Sequence, residues 1–237
     1  MALPKITQPE FEITLPVLQK KVKFRPFLVK EEKVLLVGKE GNAGEQLNAM
    51  INLLEDVVLS PKNFNARDLT VCDMEYLFMH LRAKSVNNLV KLKYKDNDDD
   101  NVYDFEINID EVEPTIDPDR SKTFAAGDLM VEMKDPTIGI MEKAGVDMDG
   151  LKKEDANTDD MFKLLAHCLV QVTDKDSVYD DFTIQEAIDF LSSLDIKTFE
   201  NIKVFFETAP TLTHDLEYVN KNGKDRKITL RGIQDFF

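Results

Sequence analysis

Several features that mark common protein classes are scarce or missing in this chain. Of its 237 residues, two are cysteine, nine are glycine and none is tryptophan. Cys72 and Cys168 lie far apart, each in a segment of helical pattern. This argues against a disulfide framework or a metal knuckle and predicts reduced thiols in the core. The scattered glycines form neither a GxGxxG motif nor a Walker loop, so no nucleotide cradle is predicted.

Long hydrophobic runs are also missing. The longest, such as KVLLVG and AMINLLEDVVL, are short or broken by charge and fall far below the length of a membrane span. Residues 1–16 lack the basic start, apolar stretch and small-residue cleavage site of a secretory signal. We therefore expect a mature protein start, synthesis in the cytoplasm and no membrane partner.

Charge is distributed unevenly along the chain. The net charge of −15 argues against a nucleic-acid partner, because binding to phosphates needs clustered Lys and Arg. Residues 1–95 carry 15 basic and 11 acidic groups, whereas residues 96–119 carry 11 acidic groups and no basic one. Such segregation can orient docking onto other proteins, or it can reflect solvated loops and strand faces. The sequence leaves both interpretations open.

Alternating hydrophobic patterns predict strands at both ends and in the middle of the chain. FEITLP and KKVKFRPFLV predict short N-terminal strands, and TFAAGDLMVEMKD predicts a further one. LVKLKY and VYDFEINID predict a half-buried hairpin with an acidic outer face. LEYVNKNGKDRKITLRG predicts a terminal hairpin that turns at Asn222 and Gly223.

Apolar residues at helical spacing predict the helices. From about Val29 to Val58 they predict two helices, or one kinked helix interrupted at GKEGNAG. Thr70 and Asp73 predict a capping box before the helix that contains MEYLFMHL, and Thr183 and Glu186 predict another. A further predicted stripe contains Met161, Leu164, Leu165, Cys168, Leu169 and Val172. The last predicted helix, with Phe199, Ile202, Phe205 and Phe206, stops before Pro210.

These elements predict the α+β class. The expected order is short N-terminal strands, a helical core, a central acidic β-hairpin or small antiparallel sheet, C-terminal helices and a terminal β-hairpin. We expect a single domain over residues 1–237, with a possible subdivision at about 1–135 and 136–237.

Motifs that could carry chemistry are weak. DNDDDN at residues 96–101 places Asp96, Asp98 and Asp100 like the first ligands of a calcium loop. Such a loop would need Gly at Asn101 and Glu at Ile107, and helices where strands are predicted. A solvent-exposed hairpin loop is therefore the better interpretation.

Catalytic constellations are not recognisable either. His80, His167 and His214 form no HExxH pair, and the chain has no GxSxG elbow. An enzymatic alternative would draw two carboxylates from the acidic hairpin to hydrolyse glycosidic bonds, which requires a cleft and one acid of raised pKa. The candidates are Asp104, Glu106, Asp110, Glu111 and Glu113. An outward polar strand face predicts the same alternation, so we expect no catalytic residue, no metal and no cofactor.

Three stretches resemble a known family. They are VKFRPFLVKEEKVLLV (residues 22–37), CDMEYLFMHLRAKSVNN (72–88) and ITLRGIQDFF (228–237). In order and spacing they are similar to the baseplate proteins of T-even-like contractile-tailed phages. Some relatives carry paired cysteines near the final hairpin, whereas EYVNKNGKDRKI has none. The resemblance therefore gives no support for a structural metal in this chain.

The resemblance implies a role in the central hub of the tail baseplate. The expected protein is a non-enzymatic virion component that binds other hub or wedge proteins in a large hetero-oligomeric assembly. A close alternative is a transient assembly factor that is absent from the mature virion. A hub-associated peptidoglycan hydrolase is the alternative from a different class.

Three sites become candidates for partner binding under this interpretation. The first is the end of the helix before residue 89, with Arg82, Lys84, Asn87 and Asn88. These residues have a local explanation as well, because Arg82 and Lys84 complement the negative end of the helix dipole. Asn87 or Asn88 could also adopt the left-handed conformation that ends helices. The others are the aromatic arm and the chain end, where the rings could instead pack on their own core. Their residues are Phe24, Arg25 and Phe27 in the arm, and Phe236 and Phe237 at the end.

Overall fold

A computed structural model describes residues 6–32, 42–146 and 158–236, and it has the predicted α+β class. The strands are β1 (Phe11–Thr14), β2 (Lys21–Phe24), β3 (Val58–Ser60), β4 (Leu89–Lys95), β5 (Val102–Asn108), β6 (Pro114–Thr115), β7 (Thr123–Ala126), β8 (Leu129–Met133), β9 (Leu169–Thr173), β10 (Val178–Tyr179), β11 (Thr211–Val219) and β12 (Asp225–Arg231). The main helices are α1 (Ala43–Val57), α2 (Val71–Ser85), α3 (Ile138–Ala144), α4 (Thr158–Cys168), α5 (Ile184–Ser192) and α6 (Ile196–Glu207).

The chain forms two compact units. The discontinuous unit contains residues 1–115 and 211–237, and the inserted unit contains residues 116–210. The inserted unit therefore interrupts the other one in sequence. Whether the chain behaves as a single folding domain, or divides near residue 135 as the sequence suggested, stays a prediction.

Among the described residues, the main elements of the discontinuous unit are α1, α2 and three small antiparallel sheets. The sheet orders are β1-β2-β3, β4-β5 and β12-β11-β6. Helix α2 is buried on several sides, and its Cys72, Met79 and Ala83 share a hydrophobic cluster with residues of both long hairpins. The alternation predicted for β5 is confirmed, because Ile107 is buried and its neighbours Asn108 and Glu106 face outward.

The inserted unit is built on one four-stranded antiparallel sheet of order β10-β9-β8-β7, together with α3 to α6. TFAAGDLMVEMKD forms both β7 and β8, two strands rather than the one predicted. The predicted stripe ending at Val172 is also wrong in part, because α4 ends at Cys168 and residues 169–173 form β9. Branched side chains in LVQVT favour the strand, and pairing with β8 fixes it.

Local capping follows the sequence closely. At α5 both halves of the predicted box form, since Thr183 accepts from the Glu186 amide and Glu186 accepts from the Thr183 amide.

The terminal hairpin of β11 and β12 is confirmed, and Gly223 occupies the left-handed region at φ 76°. From Val29 to Val58, residues 29–32 and α1 are helical, while Leu35 and most of GKEGNAG lie outside the described residues.

Both cysteines are buried and unbonded to each other, as predicted, and burial raises the pKa of Cys168 to about 12. Within the described ranges, no helix combines the length and the apolar composition that crossing a bilayer requires.

Candidate functional site

The end of α2 is held against the β4-β5 hairpin of its own unit. Lys84 Nζ lies 3.0 and 3.2 Å from the two carboxylate oxygens of Asp110, and Asn88 Nδ2 donates to Asn108 Oδ1 at 3.1 Å. Asn87 Oδ1 accepts from the Leu89 amide at 3.0 Å. The polar groups at this helix end therefore already have partners inside the molecule.

The predicted left-handed asparagine at this end is wrong. Among the described residues other than glycine, only Gln19 and Asp100 have positive φ. Helix α2 ends instead at Ser85, whose hydroxyl donates to the Leu81 carbonyl at 2.6 Å and accepts from the Phe27 amide at 3.0 Å. A tertiary contact thus replaces the local conformation that the sequence favoured.

Arg82 and His80 lie on the same helix in partly buried positions. Burial lowers the pKa of Arg82, and it lowers the pKa of His80 more than the nearby Asp110 carboxylate raises it. His80 Nδ1 lies 3.7 Å from Asp110 Oδ1, and its ring contacts the edge of Tyr76. The neutral imidazole is therefore favoured near pH 7.

The aromatic arm packs on its own unit. Phe24 is fully buried and Phe27 is partly buried. The Arg25 guanidinium makes a two-point ion pair with the buried Glu31, at 3.0 and 2.9 Å, and also donates to the Asp56 carbonyl. This guanidinium lowers the pKa of Glu31 to about 2.

The C-terminal segment is anchored by α2. Phe236 is fully buried in the cluster that contains Met79, whereas Phe237 lies outside the described residues. The Ile233 amide donates to Glu75 Oε1 at 3.2 Å. Gly232 has φ 65°, and a Cβ there would lie 3.1 Å from the same Glu75 oxygen. Only glycine fits this approach without strain.

The candidate partner-binding residues are thus gathered around α2, which the arm, the β4-β5 hairpin and the C-terminal segment all contact. Arg82, Lys84, Asn87 and Asn88 lie at its end, Phe27 bonds to Ser85, and Phe236 packs near its middle. Their role in binding another protein stays a prediction.

Asp73 on α2 has a function that its spacing alone did not indicate. Half of the predicted capping box forms, because Thr70 Oγ1 accepts from the Asp73 amide. The fully buried Asp73 carboxylate does not return to the Thr70 amide; it accepts from the amides of Val17 and Leu18 at 2.8 and 3.1 Å and from the Thr70 hydroxyl. It therefore holds a segment more than 50 residues away.

The acidic loop at residues 96–101 docks on the turn at residues 220–226, and we call these two segments the acidic clasp. Asp96 is fully buried and accepts from the Tyr218 hydroxyl at 2.8 Å and from Arg226 Nη2 at 3.3 Å. The prediction of a solvent-exposed loop is therefore wrong for Asp96. The Asp98 amide, followed by the Tyr218 hydroxyl, contributes to a lowered pKa of Asp96.

Asp98 binds three side chains of the turn in the acidic clasp. Its carboxylate accepts from Lys224 Nζ at 2.7 Å, Asn220 Nδ2 at 2.9 Å and Asn222 Nδ2 at 3.1 Å. These bonds, led by the one from Lys224, hold the pKa of Asp98 far below its usual range. The opposite composition of DNDDDN and NKNGKDR was the sequence signal that could have indicated this contact.

The carboxylates of Asp96 and Asp98 are therefore occupied by donors of the same unit. Asp100, the third residue of the calcium-like pattern, pairs instead with Lys95 at 2.9 Å. Across the described residues, no group of three or more His, Cys, Asp and Glu side chains is arranged to hold a metal ion.

The outer face of the β4-β5 hairpin carries Asp104 and Glu106, two of the five carboxylates of the enzymatic alternative. Asp104 and Glu106 are 76% and 52% exposed and face Lys93 and Lys91 across the strands, at 3.8 and 3.9 Å. They do not lie in a cleft.

A cleft of about 270 Å³ does open in this unit, between β4 and β12. Among the described side chains lining it, Asp235 is the single carboxylate. The apolar lining is Leu92, Tyr94, Phe105, Leu216, Ile228 and Leu230. An apolar cleft with one acid lacks the pair that glycoside hydrolysis uses.

The inserted unit contains a buried ion pair that no pattern in the sequence indicated. Arg120 and Asp135 are each 6% exposed and lie in contact, and Lys122 Nζ approaches the second Asp135 oxygen at 3.0 Å. Arg120 also donates two bonds to the Phe205 carbonyl and lies 3.7 Å from the centre of the Phe205 ring. The Arg120 guanidinium thus links α6 to the first residues of the inserted unit.

Fold and site together define a two-unit α+β protein in which Lys84 and Asp110 at the α2 end, and Asp96 and Asp98 in the acidic clasp, bond within their own unit. A family profile described as T4 bacteriophage base plate protein matches residues 8–237, and the chain belongs to this family. It is therefore a phage baseplate protein that acts together with other baseplate proteins. No curated protein sequence and no solved structure has a significant match to the chain.

Proposed function

We propose that this protein is a non-enzymatic structural component of the baseplate hub of a contractile-tailed phage. The observation that carries the proposal is the extent of the family match, which spans both the discontinuous and the inserted unit. The protein would occupy the virion tail and act through contacts with neighbouring hub or wedge chains.

The use of the charged residues supports a structural role. The carboxylates of Asp96 and Asp98 accept bonds from their own unit, and Asp104 and Glu106 lie in exposed pairs with lysines. None of these groups combines a cleft with a second acid, which hydrolysis of a glycosidic bond would need.

Quantitative mass spectrometry of purified virions and of infected cells tests the proposal. A structural component is present in virions at a fixed ratio to known tail proteins, whereas a transient assembly factor is abundant in cells and absent from virions. Separating hub and wedge subassemblies by sedimentation then decides between the two places in the baseplate. Sedimentation with wedges alone would contradict the hub assignment.

The α2 end offers a sharper test of the predicted partner-binding residues. Lys84→Ala and Asp110→Ala both break the same internal ion pair, which is 3.0 Å long. If Lys84 also contacts a neighbouring chain, Lys84→Ala lowers incorporation into baseplates more than Asp110→Ala does at equal melting temperature. Equal incorporation of the two variants would show that this lysine acts only within the molecule.

A further inference from the structure

The free edge of the inserted unit's sheet has the features of a strand-docking surface. Strand β10 is the last strand in the order β10-β9-β8-β7, and among the described residues it pairs only with β9. The Asp174 amide bonds to the Ser177 carbonyl at 3.0 Å, so the next pair, Thr173 with Val178, is a non-hydrogen-bonded one. The amide and carbonyl of Val178 therefore point away from the sheet, toward any added strand.

Exposed apolar side chains lie beside this edge. Val178 and Tyr179 are 58% and 52% exposed. Thr173 lies opposite both Val178 and Met130, and Met130 is 44% exposed, so these three side chains form a strip, apolar at both ends, across one face of the sheet. Such a strip at an open edge suits an alternating partner strand, whose backbone gives affinity and whose side chains give specificity.

Charge around the edge defines the partner's chemistry. Asp176 and Asp180 are exposed and lie two residues on either side of Val178, and Asp181 follows. Lys175 is the single basic residue between 170 and 190 and lies 4.0 Å from Asp128. Asp176, Asp180 and Asp181 form no ion pair within the described part of the chain, so a basic partner would be attracted without displacing an internal cation.

The turn before β10 is rigid enough to present this edge. Asp174 accepts from the amides of Asp176 and Ser177 at 2.8 and 2.7 Å and from the Tyr179 hydroxyl at 3.0 Å. These bonds fix the strand before a partner arrives, which lowers the entropy lost on binding.

We propose that β10 receives an extended segment of another baseplate chain, with a basic, an apolar and a basic residue at alternate positions. The apolar residue lies beside Val178, and the two basic residues lie beside Asp176 and Asp180. This inference rests on the proposed function, because it takes the partner from the same assembly.

Photocrosslinking in infected cells tests it without purified partners. The reporter variant is Val178→p-benzoylphenylalanine, and the control is the same replacement of Val204, which is 51% exposed on α6 of the same unit. The expected result is a crosslink from position 178, and not from 204, to one basic segment of a different baseplate protein. No crosslink at 178, or a crosslink only to a second copy of this chain, would overturn the inference.

Charge variants provide the second arm. Asp176→Asn with Asp180→Asn should lower the crosslink yield about two- to tenfold, because each exposed pair contributes modestly. Glu200→Gln with Glu207→Gln removes two exposed charges from α6 and should leave the yield unchanged. Equal effects of the two double variants would contradict the assigned chemistry.

Hydrogen exchange of the unlabelled protein tests the same contact in case the labelled variant does not fold. With the unmodified side chain, hydrogen exchange at the Val178 amide should slow when the protein enters baseplates. Incorporation into baseplates with unchanged exchange would refute strand addition while leaving the proposed function intact. Absence of the protein from every baseplate complex would refute both.

Discussion

The two units differ in how they handle charge. The discontinuous unit carries 20 basic and 24 acidic residues, whereas the inserted unit carries 10 and 21. In the discontinuous unit, acids from the middle of the chain meet bases from both ends, as Asp110 meets Lys84 and Asp98 meets Lys224. Charges that are segregated along the sequence can therefore lie side by side in the folded unit. The inserted unit, by contrast, keeps an excess of acidic residues.

The largest expected effect is the loss of unfolding free energy when the buried Arg120–Asp135 pair of the inserted unit is broken. Arg120→Met leaves the buried Asp135 with Lys122 alone and removes the two bonds from Arg120 to the Phe205 carbonyl. We expect a loss of about 3 kcal/mol in the free energy of unfolding. Denaturant titration provides the measurement.

The control for this prediction is Lys122→Met, because Lys122 pairs with the same carboxylate but is 51% exposed. It should cost less than about 1 kcal/mol. Similar losses in the two variants would show that burial does not distinguish these cations.

Asp73→Ala provides the matching experiment in the discontinuous unit. It leaves the amides of Val17 and Leu18 without their acceptor, and we expect a loss of about 2 kcal/mol in unfolding free energy. Hydrogen exchange of these two amides should accelerate with it. Asp68→Ala, at an exposed position just before α2, should change neither quantity, and protected amides in Asp73→Ala would contradict the assigned contact.

These contacts indicate what sequence can predict. Some features depend only on residues a few positions apart, so the sequence pattern was enough to predict them. They are the capping box of Thr183 and Glu186, the terminal hairpin and the alternation of β5. Asp73 reaches Val17 across 56 residues, and Asp98 reaches Asn222 across 124, so only the assembled fold reveals these bonds.

Two errors have the same physical origin. The α2 end uses a bond between Ser85 and the Phe27 amide where an asparagine cap was predicted. The stripe through Leu169 and Val172 satisfied a helical period, but pairing with β8 favoured a strand. In both places a tertiary contact outweighed a local preference, as it commonly does.

Acid should weaken the discontinuous unit through Glu31. Its pKa is lowered to about 2 when folded, chiefly by the Arg25 bond, and returns near 4.5 when unfolded. The unfolded chain therefore binds the proton more readily, so the stabilisation is complete above pH 4.5 and is lost as pH falls toward 2. Melting temperatures between pH 6 and pH 3 should fall less steeply in Glu31→Gln than in the wild type. Parallel curves would exclude this ion pair as a source of acid sensitivity.

The smallest effect is expected on the exposed hairpin face. Lys93→Ala removes a cation that is 79% exposed and lies 3.8 Å from Asp104. The free energy of unfolding should change by less than about 0.5 kcal/mol. A change above 1 kcal/mol would mean that the outer face of β4-β5 is more than a solvated surface.

The discontinuity of the chain has a consequence during synthesis. The β4-β5 hairpin leaves the ribosome early, but its partner strands β11 and β12 follow only after the whole inserted unit. At a synthesis rate of about 5–20 residues per second, the apolar side of the hairpin stays exposed for on the order of 5 to 25 s before β11 and β12 can pack on it. Nascent chains paused in this interval should therefore be the species that a chaperone binds.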